Sequence, residues 1–443
     1  MRVLAVGGGA REHAIVTALA RSGAEIFACL KNMNPGIART ARELLLTEET
    51  DIARVVQFAK AKRVDLAVIG PEAPLEAGLA DALITARIAT ASPSKAAARL
   101  ETSKSFMREL LSKHKVKGAV RFKIADSREE VGRALDELGT DIVVKPIGLT
   151  GGKGVKVFGE HMMDKQDIIA YTDEILSNKI GGSARVVLEE KLVGEEFTIQ
   201  AFCDGRKVVP MPAVQDHKRA YEGDKGPNTG GMGSYSQQDG LLPFLRRDEY
   251  DTAVEIMNEV VAALRRESSE YRGTMYGQFM LTAHGPKVIE FNARFGDPEA
   301  MNVLSLLTSD FVKICEGMAD GNVSKNLVRF EAKSSVCKYV VPEGYGTKPL
   351  SGTEIKVDEA AIADEGAILY YASVNEKNGK IYTTTSRSVG VVGLAGPIEE
   401  AERIAENGVK HVSGKIHVRH DIAKKDMLDA KVQRMNHIRR MSA

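Results

Sequence analysis

Lys145-Pro146-Ile147-Gly148-Leu149-Thr150-Gly151-Gly152-Lys153-Gly154-Val155 places four glycines in the seven residues Gly148 to Gly154, with lysines at 145 and 153. It is not a Walker A loop. The G-x-x-x-x-G-K spacing is short by one, Gly154 stands where Ser or Thr belongs, and a β-branched run follows where a helix would start. With Ile142-Val143-Val144 before it and Val155-Lys156-Val157-Phe158 after it, the stretch reads as strand, glycine-rich loop, strand. Such a loop is either a hairpin turn or a flap that lies over a triphosphate, its lysines neutralising charge. Two more short strands, Val186-Val187-Leu188 and Phe197-Thr198-Ile199, and a helix over Asp167–Leu176 complete an α+β unit with a small sheet. Between those strands lies Glu189-Glu190-Lys191-Leu192-Val193-Gly194-Glu195-Glu196, either a polar connection or a set of acceptors for a ribose and an adenine amino group.

Upstream the texture differs. Val3–Val6, Glu25–Leu30 and Leu66–Ile69 are strand-like runs alternating with helical stretches at Glu12–Arg21 and Ile52–Lys62, which predicts a parallel sheet covered by helices. Gly7-Gly8-Gly9-Ala10-Arg11-Glu12-His13 links the first strand to its helix, where free N–H groups attract an anion. It is not a dinucleotide fingerprint: Glu12 replaces the third glycine and the second strand ends at Leu30-Lys31-Asn32 without an acid. Gly70-Pro71-Glu72-Ala73-Pro74-Leu75 follows the third strand on the same carboxyl edge.

Downstream, Asp216–Gly233 reads as polar, glycine-rich loops, followed by a helix over Asp248–Arg265 and strands at Tyr276–Thr282 and Lys287–Phe291. Glu290 and Asn292 fall on one strand face, which Gln278 joins if the two strands pair antiparallel. Oxygen donors so placed suit Mg²⁺ carried by a nucleotide. Arg294-Phe295-Gly296-Asp297-Pro298-Glu299 then offers a guanidinium for an anion and two carboxylates. From about residue 325 a tail mixes strands (Val336–Val341, Leu369–Ala372, Gly390–Gly393) with a helix, Ile398–Glu406, and the basic run Arg434–Arg440 reads as a solvated helix face.

Lys+Arg 61 against Asp+Glu 60 gives no basic footprint for nucleic acid, and no apolar run reaches membrane-spanning length. Four scattered cysteines, Cys29, Cys203, Cys315 and Cys337, form no C-x-x-C pair, so a reduced cytoplasmic protein is expected.

GGGAREHA, GPEAPL, KPIGLTGGKGV, GPNTGGMG and EFNARFGDPE, in this order, resemble the glycinamide ribonucleotide synthetases, ATP-grasp ligases of de novo purine synthesis, over residues 1 to about 420. The resemblance implies a multidomain α/β and α+β fold. A Rossmann-like parallel-sheet domain for phosphoribosylamine would occupy residues 1–104 and an ATP-grasp domain 105–325, with a small flap subdomain at about 118–200. A mixed α/β domain would occupy 326–443. The implied reaction joins glycine to 5-phosphoribosylamine with ATP cleaved to ADP and phosphate, through a glycyl phosphate.

Gly9, Arg11, Glu12 and Glu72 would hold the phosphoribosylamine, with Asp216 and Asn228 also on substrate. Lys104 and Lys145 would grip ATP phosphates beneath a flap that includes Gly151, Gly152, Lys153 and Gly154. Glu189, Leu192 and Glu196 would frame adenine and ribose. Gln278, Glu290 and Asn292 would take Mg²⁺ or Mn²⁺, although related sites carry a carboxylate where Gln278 falls. Arg294 and Asp297, with Lys145, would serve catalysis, facing glycine or the transferring phosphate. Met301 stands where many relatives are polar. The implied partners are small molecules only, with no nucleic acid or membrane, and the chain would be a monomer or weak homodimer. Two alternatives stay open, a nucleotide-sensing protein without turnover and a different ATP-grasp carboligase.

Overall fold

The structure, a computed structural model, describes residues 1–149 and 154–441. The apolar runs that open the chain form five parallel strands, β1 (Arg2–Val6), β2 (Glu25–Leu30), β3 (Glu43–Leu46), β4 (Leu66–Ile69) and β5 (Ala89–Thr90), in the order β3-β2-β1-β4-β5. β4 is buried along its whole length, as its unbroken apolar composition requires in a sheet covered on both faces. β3 and β5 are too short and too mixed to show as strands in the sequence. The strand order reverses between β1 and β4, so their carboxyl ends flank an open crevice. Both glycine loops lie there.

A second sheet is antiparallel, β6 (Phe122–Ala125), β7 (Ile142–Pro146), β8 (Lys156–Val157) and β9 (Val186–Glu190) in the order β6-β9-β7-β8. Helices Arg128–Leu138 and Lys165–Asn178 cover it, and Val131, Ile142, Val144, Ile168, Ile175, Val186 and Leu188 give it a core of its own. The third sheet begins with β10 (Glu195–Asp204) and β11 (Val208–Pro210). The chain then passes through β12 (Gln215–Asp216), β13 (Arg219–Tyr221), β14 (Lys225–Asn228), β15 (Gly233–Ser236) and the helix Arg247–Arg266. It returns as β16 (Arg272–Thr282) and β17 (Gly285–Asn292), giving the antiparallel order β11-β10-β16-β17.

The stretch Asp216–Gly233, read from sequence as loops, is therefore partly extended. β12 and β15 join the C-terminal sheet, where β15 pairs with β18 (Ser334–Pro342), and β18 in turn with Val389–Ala395. Glycine-rich sequence has little strand propensity of its own, and here the pairing partner lies about a hundred residues away. Met301 is fully buried against Gly390 of that sheet, which accounts for an apolar side chain there. The C-terminal helix Lys425–Met441 corrects a second reading. Arg439 donates to both oxygens of the Glu249 carboxylate at 2.8 Å, and Arg434 lies 3.3 Å from Glu195, so the basic run is docked along part of its length. All four cysteines are free and buried. Among the described residues no helix is long and apolar enough to cross a membrane.

His13 ties the first domain to the last. Its Nδ1 accepts from the Tyr371 backbone N–H at 2.9 Å, and its ring stacks on Tyr371 and meets the Tyr370 ring edge-on. Burial holds its pKa down at about 4, against a partial upward pull from Glu359. An unfolded histidine takes a proton near pH 6.5 and this one does not, so the folded state loses stability as pH falls from about 6.5 to about 4. His13→Gln should flatten that loss, which a melting temperature followed from pH 7 to pH 4.5 in both proteins would show. Parallel slopes would refute it.

Candidate active site

The crevice between β1 and β4 is shaped around one carboxylate. Glu12, on the first turn of the helix Ala10–Arg21, accepts from the Gly9 N–H (2.8 Å) and from Arg11 Nε (2.6 Å) and is almost fully buried. A Cβ on Gly70 would fall 2.2 Å from Glu12 Oε1, and one on Gly7, whose φ is +115°, would fall 2.6 Å from its Cγ. The glycines of both loops thus admit Glu12 to the edge. Arg11 also donates to the Phe295 carbonyl (3.1 Å), which joins this edge to the Arg294–Glu299 segment.

Arg294 lies between two acids. Its Nη2 is 2.8 Å from Glu101 Oε1 and its Nε 3.4 Å from Glu72 Oε2, and the side chain is only 16% exposed. Although burial alone would raise it, Glu72 is held at about 2 by Arg294 and Arg11. Glu101, more deeply enclosed, is pushed up to about 7 by burial against the opposing pull of Arg294. Asp297 faces the C-terminal domain. The Tyr339 hydroxyl donates to its Oδ1, Arg387 Nη2 lies 3.1 Å from its Oδ2, and Arg387 Nη1 donates to its backbone carbonyl at 2.8 Å. A Cβ at Gly9 would also come within 3.8 Å of Asp297 Oδ2, so this carboxylate borders the crevice.

The cationic side is built by the helix Lys104–Lys113, which Ser103 caps, and by β7. Lys104 Nζ donates to the Gly148 carbonyl (2.8 Å), and Lys145 Nζ lies 2.7 Å from Glu189 Oε2. Arg108 grips both Glu189 oxygens at 2.7 Å and donates to the carbonyls of Val288 and Ile289. Burial would raise Glu189, but Arg108 and Lys145 keep it at about 2. The Lys104 ammonium is lowered by burial and by Lys145, while Glu290, Glu189 and Glu101 pull it up, so all these groups share one electrostatic neighbourhood. Of the glycine loop, Gly154 accepts from the Tyr171 hydroxyl at 2.8 Å. Gly151, Gly152 and Lys153 lie outside the described residues. Leu192 is half-buried in the connection between β9 and β10.

The oxygen donors lie across one strand pair. Gln278 on β16 stands opposite Glu290 on β17, and Tyr276 opposite Asn292. Gln278 Nε2 donates to Glu196 Oε2 at 2.6 Å, while its Oε1 is buried with no hydrogen-bond partner. An orphaned buried carbonyl across from a carboxylate is a donor set that a hard cation satisfies. Among the described residues no three His, Cys, Asp or Glu side chains are placed to hold a metal ion together, and two of these three donors are amides. Lys218 lies 3.4 Å from Glu196. Asp216, raised by burial, is opposed by the Lys218 cation and reinforced by Glu196 and Glu290, so it joins the same group. Asn228 stands opposite Arg219 in the β13–β14 hairpin.

Glu101, Arg108, Tyr339 and Arg387 belong to this constellation and were missed in the sequence. Arg108 had a signal, its four-residue spacing from Lys104, which puts both on one helix face. Arg387 and Tyr339 had none, because the contacts that define them cross from one domain to another.

The phosphoribosylglycinamide synthetase N domain matches residues 1–101, its ATP-grasp (A) domain residues 102–300 and its C domain residues 335–425. The chain belongs to the phosphoribosylglycinamide synthetase family. A phosphoribosylamine–glycine ligase of Methanothermobacter thermautotrophicus is 51% identical over 440 residues, 99% of this chain and 100% of the relative. One from Methanocaldococcus jannaschii is 50% identical over 445 residues, 99% of this chain and 100% of the relative. The crystal structure of the Thermotoga maritima phosphoribosylamine–glycine ligase superposes with a TM-score of 0.81 at 28% identity, covering 95% of this chain and 100% of that one. The biotin carboxylase domain of Hydrogenobacter thermophilus 2-oxoglutarate carboxylase, solved with MgADP, shares the fold at a TM-score of 0.75 and 16% identity, over 98% of this chain and 97% of that one. As a member of this family, the chain is an ATP-dependent ligase of purine biosynthesis that acts on small-molecule substrates.

Proposed function

We propose that the chain joins glycine to 5-phosphoribosylamine through a glycyl phosphate. The γ-phosphoryl group of ATP passes to a glycine carboxylate oxygen and ADP leaves. The amine nitrogen then forms the amide bond to the glycyl carbon, expelling phosphate and giving up a proton. One observation carries the reading. Arg294 is held between Glu72 of the β4 loop and Glu101, two residues past Asn292, so an anion-binding guanidinium lies where the β1–β4 crevice meets the oxygen-donor strand.

In this reading Gly9, Arg11, Glu12 and Glu72 line the phosphoribosylamine side, with Asp216 and Asn228 also on substrate. Arg294 and Asp297 face the glycine carboxyl group and the phosphate that leaves it. Lys104 and Lys145 hold ATP phosphates, a role in which Gly151, Gly152, Lys153 and Gly154 share, and Glu189, Leu192 and Glu196 serve adenine and ribose. Gln278, Glu290 and Asn292 would hold Mg²⁺ or Mn²⁺, which when bound neutralises phosphoryl charge. A planar guanidinium in a water-poor site favours a dianionic acyl phosphate without a protein nucleophile. The same reading takes residues 1–104, 105–325 and 326–443 as the working units, in a cytoplasmic monomer or weak homodimer.

The test is substrate-dependent ADP release. Glycine with phosphoribosylamine should stimulate it, and bicarbonate with a carboxamine acceptor should not. The reverse pattern would assign the chain to an ATP-grasp carboligase. No release with either pair would leave a nucleotide-binding protein.

A further inference from the structure

Glu101 is the last residue of the N-domain match and lies on the helix Lys95–Thr102, yet its carboxylate reaches three consecutive residues at the end of β17. Oε2 accepts from the Ala293 N–H at 2.7 Å, and Oε1 lies 2.8 Å from Arg294 Nη2. The third partner is Asn292. Only one orientation of its amide avoids setting the amide oxygen against the Glu101 carboxylate and the Phe291 carbonyl. In that orientation its nitrogen donates to Glu101 Oε1 at 3.2 Å and to the Phe291 carbonyl at 3.3 Å. The Asn292 oxygen then faces away from the Glu101 carboxylate, on a residue that shares a strand face with Glu290.

We propose that Glu101 is a positioning residue that orients the Asn292 carbonyl toward the nucleotide's divalent cation and fixes the Arg294 guanidinium, coupling the first domain to the phosphoryl-transfer site. This rests on the reading of Gln278, Glu290 and Asn292 as the cation's donors. A carboxylate suits the position because it presents acceptors only. Glutamine offers one acceptor oxygen to three donors, and whichever way it turns its NH₂ group meets the Ala293 N–H or the Asn292 and Arg294 donors. A partner that merely filled space between helix and strand would not need two acceptor oxygens. Groups that orient metal ligands in this way change metal affinity about 10- to 100-fold when removed.

The experiment compares ADP binding by calorimetry in excess Mg²⁺ and in EDTA, for the unaltered chain, Glu101→Gln and Glu101→Asp. Magnesium should tighten ADP in the unaltered chain. In Glu101→Gln that tightening should shrink about tenfold or more while the metal-free Kd stays put, and kcat/KM for glycine should fall with it. Glu101→Asp keeps the charge but is one methylene shorter, so its tightening should be intermediate, which also serves if the glutamine variant does not fold. If both variants keep the full magnesium effect, the inference is overturned while the donor set stands. If magnesium fails to tighten ADP even in the unaltered chain, the donor-set reading falls and this inference with it.

Discussion

Glu290→Gln is expected to lower kcat by about 10²- to 10³-fold, because charge stabilisation of the transferring phosphoryl group is the dominant contribution in such a site. The reason is specific to this chain. Gln278 and Asn292, the donors grouped with Glu290 on the β16–β17 face, are both amides, so Glu290 supplies all the formal negative charge of the proposed set. Glutamine keeps the shape and one oxygen but leaves a divalent cation facing three neutral donors. Metal-free ADP affinity should hardly change, since Lys104 and Lys145 remain, whereas the magnesium concentration that half-saturates activity should rise. Near-normal kcat at saturating Mg²⁺ would refute the role.

Arg294→Lys is expected to cost roughly 2–4 kcal/mol of transition-state stabilisation, a factor of about 30–1,000 in kcat/KM for glycine. The guanidinium spans Glu72 and Glu101 at once, with nitrogens 3.4 Å and 2.8 Å from their carboxylates. A planar fork can hold both acids and still direct an N–H elsewhere, as Nη1 does to the Phe295 carbonyl at 3.3 Å. A lysine ammonium keeps the charge but concentrates it at one point, so it would settle against one acid and leave the other unmatched. ATP affinity should change little, because the lysines that would grip the phosphates sit on other elements. Measuring kcat/KM for glycine and Kd for ATP in one variant decides the matter. A collapse of ATP binding with intact glycine kinetics would move Arg294 to the nucleotide site.

Much of this protein was legible in its sequence where the signal is local. β4, and β1 and β2 after their first residues Arg2 and Glu25, are continuous apolar runs, as parallel strands buried on both faces are. The period of two along β17 put Glu290 and Asn292 on one face, and the observed Gln278–Glu290 pairing fits the hairpin that the intervening turn allows. The rest was decided only by tertiary structure. β12 and β15 acquire their extended form from β18, which no local pattern in a glycine-rich stretch announces. Glu101 sits in a helix whose local sequence assigns it no partner until folding sets it against Asn292, Ala293 and Arg294, 191 residues and more away in the chain. Arg387 likewise meets Asp297 only across a domain boundary. Periodicity and turn chemistry act through neighbours in the chain. The pairing of buried charges depends on which distant backbones the core brings within hydrogen-bond reach, and so it appears only once the chain has folded.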